Sequence, residues 1–362
     1  MNLPINPEYE ECLKNIDVPM KKTISVLKNI DINFYSKNTP TFEQDGDLFY
    51  HVPNIRPQSY IAAFDIDWTI AYAEGKLYPH VAEPNDIQIL PNRKEELTIL
   101  LKKGYTIALF TNQKVKSMPN KQKRVMRMTN LLNKLNIPCY VFIATGDDNY
   151  RKPNTGMWEK FKELIGIPIK YAFFVGDASG NPNTCVKTIK NNNKNFRDTD
   201  KLFAENIGIN YYDVDEFFPK PSIKIEPKNG EKVMIVSVGM PGSGKSSFFE
   251  NYLADYGFVH VERDTVKEKN RFINLVKRLI NEGEELIYID ATNPTVEDRK
   301  VFYDLAEKHG YATATVYFVR NGHELNKMRD KGKVPDVVYH KFYNALEPPN
   351  ENNTPGELYY FG

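Results

Sequence analysis

The chain has little cysteine and no long apolar run. Its three cysteines are scattered over 362 residues, which argues against a disulfide framework or a zinc cluster and indicates a reducing compartment. The longest apolar stretches, such as LIYI and MIVSV, are far shorter than the ~20 residues that cross a bilayer. The N-terminus also lacks a basic segment followed by an apolar one. We therefore expect a nuclear or cytoplasmic protein that is neither secreted nor membrane-bound.

Net charge is small as well, at +1, so the overall balance indicates no particular partner. Two local stretches, residues 114–127 and residues 187–197, contain several basic residues and no acidic one. Taken alone, each is more typical of a solvated surface than of a binding patch. Their position after the catalytic motifs described below favours contact with a polyanion instead.

Strand-like and helical segments alternate along most of the chain. The apolar runs YIAAF, YTIALF, YVFIA and YAFFV form a first series, and KVMIVSV, FVHV, LIYI and ATVYFV form a second. This alternation predicts an α/β architecture with two doubly wound, mainly parallel sheets. A proline-rich segment between the two series is typical of a linker. We predict an N-terminal extension at 1–58, a first domain at 59–217, a linker at 218–231 and a second domain at 232–362.

Two aspartates, Asp65 and Asp67, follow the run YIAAF directly. Because they are two positions apart near a strand end, both side chains point to one side. Crowded carboxylates are unfavourable unless a cation or a shared proton relieves them, and a hard ion such as Mg²⁺ suits such a site. With the metal present, one aspartate can attack phosphorus while the other protonates the leaving oxygen. An isolated Asp-x-Asp is more typical of a cap or turn than of a catalytic pair, so further motifs are needed.

Three further polar elements follow later strands of the first domain. Thr111 and Asn112 would supply a hydroxyl and an amide for phosphoryl oxygens, and Lys152 would supply a cation against an aspartyl-phosphate. Asp177 would join the aspartate pair as a metal ligand. Because ligand sites in open α/β sheets lie at the carboxyl ends of the strands, we expect these side chains to meet. The combination predicts a phosphatase with an aspartate nucleophile.

The pattern G-x-x-x-x-G-K-S, a phosphate-binding loop (P-loop), stands between KVMIVSV and a helical stretch. Its glycines let backbone N–H groups surround phosphates, and the following helix N-terminus favours negative charge. Lys245 should reach the β- and γ-phosphates of ATP, and Ser246 should ligate Mg²⁺. The residues predicted to bind the nucleotide are Gly239, Gly242, Ser243, Gly244, Lys245, Ser246 and Ser247.

Charged residues after the P-loop complete this second predicted site. Asp264 follows the run FVHV and is placed to act on an acceptor hydroxyl. Asp290 ends LIYI, where it either assists the metal site or caps the next helix. Lys327 and Arg329 belong to a basic stretch that forms either a lid over the transferred phosphate or a solvated surface helix.

The order of these motifs resembles known families. The first half resembles the haloacid dehalogenase superfamily of phosphatases. From about Tyr60 onward, the chain resembles the polynucleotide kinase 3′-phosphatases in their animal-type order, with the phosphatase before the P-loop kinase. The segments that carry the resemblance are FDIDWTI, LFTNQ, YRKPNTGMWE, FVGDASG, LFAENIGI, GMPGSGKSS, VHVERDT and IDATNP.

The resemblance implies a bifunctional enzyme that removes 3′-phosphates and, with ATP and Mg²⁺, phosphorylates 5′-hydroxyls, preparing ends for ligation in strand-break repair. It implies that Asp65 is the nucleophile, Asp67 the general acid, Asp264 the base and Arg329 a lid arginine. Nucleic-acid ends, DNA more than RNA, are the implied substrate, and the basic stretches would rim the phosphatase mouth. We expect a monomer without the family's forkhead-associated module, because only 58 residues precede the predicted phosphatase domain.

Two positions depart from the superfamily pattern. Glycine usually follows the second aspartate, where this chain has Trp68, and an acid often stands where it has Asn181; Asp198 or Asp200 are candidates to replace that acid. Trp68 is either a buried packing variant or faces the entrance, where it could stack on a terminal base. Two alternatives stay open: a metabolic phosphatase–kinase fusion, and a DNA-end-binding protein whose phosphatase site has decayed around Trp68.

Overall fold

The computed structural model divides the chain into two compact units. It describes residues 3–7, 34–35, 39–76, 82–179, 198–218, 223, 225–228, 230–266, 268–319 and 334–361. The first unit comprises residues 1–74 and 78–219, and the second comprises residues 75–77 and 220–362. The predicted linker at 218–231 spans this division, and its limits stay a prediction.

The first unit is built on a mixed sheet. Its described strands are β1 (Glu43–Asp45), β2 (Leu48–His51), β3 (Tyr60–Phe64), β4 (Ala71–Ala73), β5 (Ile87–Ile89), β6 (Tyr105–Asn112), β7 (Tyr140–Ala144), β8 (Tyr171–Gly176) and β9 (Asn210–Asp213). Seven of them lie in the order β1-β2-β7-β6-β3-β8-β9, and β4 pairs separately with β5. Five neighbouring strands of this sheet, β7, β6, β3, β8 and β9, run parallel to one another. At the edge, β2 is antiparallel to β7 and β1 is antiparallel to β2.

Helices cover both faces of this sheet. Within the described residues they are α1 (Arg93–Lys102), α2 (Met118–Leu135), α3 (Gly156–Ile165), α4 (Thr199–Ile207) and the single turn α5 (Val214–Phe217). Alternation along β3 sends Ala62 and Phe64 to a core shared with α1 and α2, and Ile61 and Ala63 to a core shared with α3 and α4. The central strands are therefore buried on both faces, as in doubly wound folds.

The second unit has a fully parallel sheet. Its described strands are β10 (Val233–Val238), β11 (Val259–Glu262), β12 (Leu286–Asp290), β13 (Ala312–Phe318) and β14 (Glu357–Phe361), in the order β11-β12-β10-β13-β14. Its described helices are α6 (Lys245–Phe248), α7 (Lys269–Glu282), α8 (Val296–His309) and α9 (Asp336–Ala345). Phe272, Val276 and Ile280 recur every four residues along α7 and face the core, as an amphipathic helix requires.

The predicted α/β class with parallel strands is confirmed in both units. The P-loop follows β10, the middle strand of the second sheet, so both flanking strand ends lie beside it. Cys139 is a buried core residue with a free thiol. No helix of the described segments combines the length and the apolar character needed to cross a membrane.

Candidate functional sites

The first candidate site, called the aspartate site below, lies at the carboxyl ends of β3, β6 and β8 and centres on Lys152. The Nζ of Lys152 lies 2.5 Å from Oδ1 of Asp65 and 2.7 Å from Oδ1 of Asp200. All three side chains are buried. Burial by itself lowers the pKa of Lys152, but Asp200 and Asp65 outweigh it and raise the pKa. Lys152 is therefore a fixed positive charge beside Asp65.

Asn112, the last residue of β6, holds the backbone of Lys152. Its Oδ1 accepts a hydrogen bond from the Lys152 backbone N–H at 2.9 Å, and its Nδ2 donates to the Lys152 carbonyl at 3.0 Å. We expected this amide to bind phosphoryl oxygens, but both of its polar atoms are engaged by Lys152. The physical reason is that the loop after β7 approaches the end of β6, where the loop's backbone groups need partners. Asn112 is thus a positioning residue.

Three carboxylates form a cluster around Lys152. Asp65, Asp177 and Asp200 each offer an oxygen, and these atoms lie within 4.8 Å of one another. Burial raises the pKa of Asp65 to about 7 and that of Asp177 well above its usual range, and the neighbouring carboxylates add to both shifts. If all three ionise, their negative charges exceed the single positive charge of Lys152 by two. A divalent cation would neutralise them, and carboxylate oxygens are the donors that Mg²⁺ prefers, so the residues present fit the ion.

Asp200 can enter this cluster because residue 176 has no side chain. A Cβ at Gly176 would lie 2.4 Å from Oδ2 and 2.6 Å from Cβ of Asp200. The backbone N–H of Ala178 donates to that same Oδ2 at 3.1 Å. Asn181 lies outside the described residues. Of the two acids considered as its replacement, Asp200 is in the cluster and Asp198 is not.

Asp67 is held differently from Asp65. The Nη2 of Arg127 lies 2.6 Å from its Oδ1, and the Nε2 of Gln113 donates to its Oδ2 at 2.6 Å. Gln113 also donates to Oγ1 of buried Thr111 at 2.9 Å, so it links the two predicted catalytic residues. The Arg127 side chain is fully buried, and the Asp67 side chain is 22% exposed. Asp67 lies outside the three-carboxylate cluster, and its role as a metal ligand stays a prediction.

Trp68 occupies a backbone conformation that disfavours it. Its φ is +62°, in the left-handed region that costs a residue with a Cβ about 1–2 kcal/mol. The turn is fixed by a hydrogen bond of 2.7 Å from the Trp68 N–H to the carbonyl of Ala71. This conformation explains why glycine suits the position. The indole is half-buried and stacks on Tyr72 with ring centroids 6.1 Å apart.

The basic stretch 114–127 is largely neutralised. Its ion pairs are Lys114 with Asp147, Lys121 with Asp47 and Lys123 with Glu83. Arg124 and Arg127 are buried, which leaves Lys116 exposed and outside the ion pairs formed within the described part of the chain. The stretch therefore carries less free positive charge than its composition indicates. The second basic stretch, 187–197, lies outside the described residues.

The second candidate site, called the P-loop site below, lies at the carboxyl ends of β10, β11 and β12. A cavity of about 530 Å³ opens here, lined by the loop residues Gly242, Gly244, Lys245, Ser246 and Ser247 together with Asp264 and Asp290. A Cβ at Gly239 would lie 2.7 Å from Oγ of Ser243, which shows why the loop needs glycine there. Five of the seven predicted nucleotide-binding residues thus line one cavity, and Gly239 and Ser243 belong to the same loop without lining it.

Lys245 folds back onto its own loop. Its Nζ donates to the carbonyl of Met240 at 2.9 Å and to that of Gly239 at 3.2 Å. Burial lowers its pKa, while Asp290 and Asp264 act in the opposite direction. Two neutral carbonyls are weak partners for a buried ammonium, so a polyphosphate entering the cavity would offer this cation a better one.

Asp290, the last residue of β12, connects the P-loop to a histidine. Its Oδ2 accepts a hydrogen bond from Oγ of Ser246 at 2.8 Å and lies 2.9 Å from Nε2 of His260. The His260 ring stacks on Phe249 with centroids 4.2 Å apart. A carboxylate and a hydroxyl at this position are the donors that Mg²⁺ takes in P-loop enzymes. Asp290 therefore fits a metal site better than a helix cap, and Thr295 caps the following helix instead.

The predicted acceptor side of the P-loop site is only partly described. Asp264 lies in a helical turn after β11, is exposed and lines the same cavity as the loop. Arg329 and Lys327, the predicted lid residues, lie outside the described residues. A lid and a solvated surface helix therefore remain the two predicted alternatives for that stretch.

Three residues with contacts to the sites were not singled out from the sequence for these roles, namely Gln113, Arg127 and His260. Gln113 and His260 stand inside the quoted segments LFTNQ and VHVERDT, which was the available signal. Asp200 was one of two candidates, and Arg127 was grouped with the basic stretch. Nothing in the local sequence distinguishes a surface arginine from one buried against Asp67.

Comparison with known proteins gives a consistent set of relatives. Residues 60–218 match the family described as polynucleotide kinase 3 phosphatase. A bifunctional polynucleotide phosphatase/kinase of Schizosaccharomyces pombe is 26% identical over 79% of this chain and 76% of its own. A protein of Acanthamoeba polyphaga mimivirus, with the provisional name of bifunctional polynucleotide phosphatase/kinase, is 28% identical over 89% of this chain and 90% of its own length. An uncharacterised 20.8 kDa protein of Autographa californica nuclear polyhedrosis virus is 31% identical over 48% of this chain and 94% of its own.

Proposed function

Because the chain belongs to the polynucleotide kinase 3′ phosphatase family, we propose that it removes 3′-phosphates from nucleic-acid ends and phosphorylates 5′-hydroxyls with ATP. The observation that carries the proposal is the contact of Lys152 with both Asp65 and Asp200. It places a nucleophile candidate, a fixed cation and a carboxylate cluster at one sheet edge. The products would be ends suited to ligation, as strand-break repair requires.

In the phosphatase reaction, Asp65 attacks phosphorus and forms an aspartyl-phosphate, while Asp67 gives a proton to the departing 3′-oxygen. Lys152 balances negative charge on the nucleophile and then on the phosphoryl group. The Thr111 hydroxyl is close to this chemistry, since Gln113 joins it to Asp67. Water then hydrolyses the aspartyl-phosphate. Asp65, Asp177 and Asp200 are the residues that would hold Mg²⁺, whose charge would relieve their repulsion and withdraw charge from the phosphoryl oxygens.

In the kinase reaction, Lys245 leaves the loop carbonyls for the β- and γ-phosphates of ATP. Asp264 accepts the proton of the 5′-hydroxyl from its exposed position on the cavity wall. Ser246 and Asp290 would hold the Mg²⁺ that accompanies the nucleotide, and His260 fixes the orientation of Asp290. The two reactions use separate residues in separate units.

A decayed phosphatase site is the alternative that the geometry opposes. Asp65, Lys152 and Asp177 all lie in one cluster despite Trp68, and decay would not preserve such closely fitted charges. A metabolic phosphatase–kinase fusion has the same two sites but takes small substrates. A surface of unpaired positive charge would favour nucleic-acid ends over small substrates. Within the described residues the basic stretch 114–127 does not provide one, because it is largely paired or buried.

The decisive experiment uses a nicked DNA duplex with a 3′-phosphate and a 5′-hydroxyl at the nick, each end labelled separately. With Mg²⁺ and ATP, both ends should be converted. With Mg²⁺ alone, only the 3′-phosphate should be removed. A matched RNA substrate and small phosphomonoesters provide the comparison of substrate class. Turnover of small phosphomonoesters with no change at either nucleic-acid end would overturn the proposal.

A further inference from the structure

Trp68 combines an unfavourable backbone with a position next to catalysis. It directly follows Asp67, and consecutive Cα atoms lie about 3.8 Å apart, so its backbone is part of the aspartate site. Its φ of +62° is unusual for a bulky residue. Residues held in such conformations cluster at functional sites, where the surrounding structure enforces them.

Packing does not account for the tryptophan. Its neighbours Ile66, Ile70 and Ala71 belong to the core of the first unit. Among the described residues, Trp68 is neither a member of that core cluster nor one of the partly buried side chains packed against it. The indole is half-buried, whereas a residue selected to fill the core would be enclosed. The cost of the backbone conformation is thus not offset by burial in the core.

The ring has firm support on one side. Tyr72, which is buried, stacks beneath it at an interplanar angle of 27°. Tyr72 belongs to β4, where it pairs with Gln88 of β5, and the turn from Trp68 to Ala71 is closed by a backbone hydrogen bond. A supported aromatic ring with an accessible part costs little conformational entropy when it binds a second flat group.

We propose that Trp68, supported by Tyr72, stacks on the terminal base of the strand whose 3′-phosphate enters the aspartate site. This inference rests on the proposed function. Stacking on an aromatic side chain accepts any base, because every base has a π-face. The base must leave its neighbours to reach the ring, so Trp68 favours single-stranded or frayed 3′ ends over fully stacked nicks. Trp68 is then a specificity-determining residue that acts through substrate binding.

The test compares two single-stranded DNA oligonucleotides that carry a 3′-phosphate and differ only in the last nucleoside, which has a base in one and a tetrahydrofuran ring in the other. The measured quantity is the ratio of kcat/KM with the base to kcat/KM without it. In Trp68→Gly this ratio should fall about 5- to 150-fold, the equivalent of ~1–3 kcal/mol of stacking. The change should reside in KM. Trp68→Phe, which keeps a ring at the position, should retain most of the ratio.

The outcomes separate the inference from the function on which it rests. If the unmodified protein leaves both oligonucleotides unchanged, the proposed phosphatase function fails. If it converts both and Trp68→Gly lowers kcat/KM equally on each, the stacking proposal is wrong. A thermal-unfolding scan accompanies each variant. Equal losses together with a lowered Tm would identify the indole as structural. If the glycine variant folds poorly, the ratio in the unmodified protein decides, because a ratio close to one overturns the stacking proposal.

Discussion

The guanidinium of Arg127 lies 2.6 Å from Oδ1 of Asp67 although the two residues are 60 positions apart in sequence. The arginine side chain is fully buried, and Gln113 binds the second oxygen of the carboxylate. Both oxygens of Asp67 are therefore held by the protein. Since we propose Asp67 as the general acid, its aim at the leaving oxygen depends on these two donors.

Replacing Arg127 should weaken the phosphatase without removing its nucleophile. Arg127→Lys keeps the charge but loses the planar fork that holds a carboxylate, so kcat for 3′-phosphate removal should fall about 10- to 100-fold, as for other residues that orient a ligand group. Lys123→Gln is the matched control on the same helix, because it removes only the exposed pair with Glu83, worth about 0–1 kcal/mol. Unchanged kcat in a folded Arg127→Lys protein would show that Asp67 needs no such support.

Adding one methyl group at Gly176 should displace Asp200. The new Cβ would lie 2.4 Å from its Oδ2, so the carboxylate must move away from Lys152. We expect Gly176→Ala to lower phosphatase turnover at least about 10-fold and to leave 5′-phosphorylation intact. The matched control is Gly146→Ala, whose Cβ would meet the carboxylate of Asp47 at 2.2 Å, outside the cluster. Similar phosphatase losses in both variants would indicate general distortion of the fold.

In the absence of metal, the free energy of unfolding should decrease as pH rises from about 4 to about 7. Burial raises the pKa of Asp65 from 3.8 to about 7, so in this window the native state keeps a proton that the unfolded chain releases. Mg²⁺ favours the ionised carboxylates, so the Tm increase that it causes should be larger at pH 8 than at pH 5.5. Thermal unfolding with and without Mg²⁺ at both pH values measures this. Asp65→Asn should reduce the dependence without abolishing it, because burial also raises the pKa of Asp177. A Mg²⁺ effect equal at both pH values would contradict the assignment.

The two activities should separate by mutation. Asp65→Asn removes the nucleophile at nearly constant size, so 3′-phosphatase activity should disappear while 5′-phosphorylation persists. Lys245→Ala removes the phosphate-binding cation and should have the opposite effect. Both are followed on the labelled nicked duplex. Loss of both activities in either folded variant would be incompatible with independent sites.

His260 should control the metal requirement of the kinase. His260→Phe keeps a flat ring against Phe249 but removes the partner 2.9 Å from Oδ2 of Asp290. We expect half-maximal kinase activity to need about 10- to 100-fold more Mg²⁺, with a smaller change at saturating Mg²⁺. The phosphatase activity of the same protein is the internal control. A lowered kcat with an unchanged Mg²⁺ requirement would assign the histidine a different role.

The sequence predicted those parts of both sites that depend on local order. Asp65 follows β3, Thr111 is the residue before the last in β6, and Asp177 follows β8. Parallel strands bring their carboxyl ends to one edge of a sheet. The P-loop is likewise a contiguous segment whose shape depends on its own glycines and on β10 before it. For such elements, a pattern of residue types and a strand assignment are sufficient to predict which residues lie at the site.

What only the tertiary structure decided is which distant side chains pair. Arg127 and Lys121 belong to one basic stretch, yet one is buried against Asp67 and the other binds Asp47. Asn112 holds the backbone of Lys152 instead of a phosphoryl group. Asp200 reaches the cluster because Gly176 leaves space. The physical reason is that the interaction of two charges depends on their separation in space and not in sequence. The partner of a charged side chain is therefore whichever opposite charge the packing of helices and loops brings within about 3 Å.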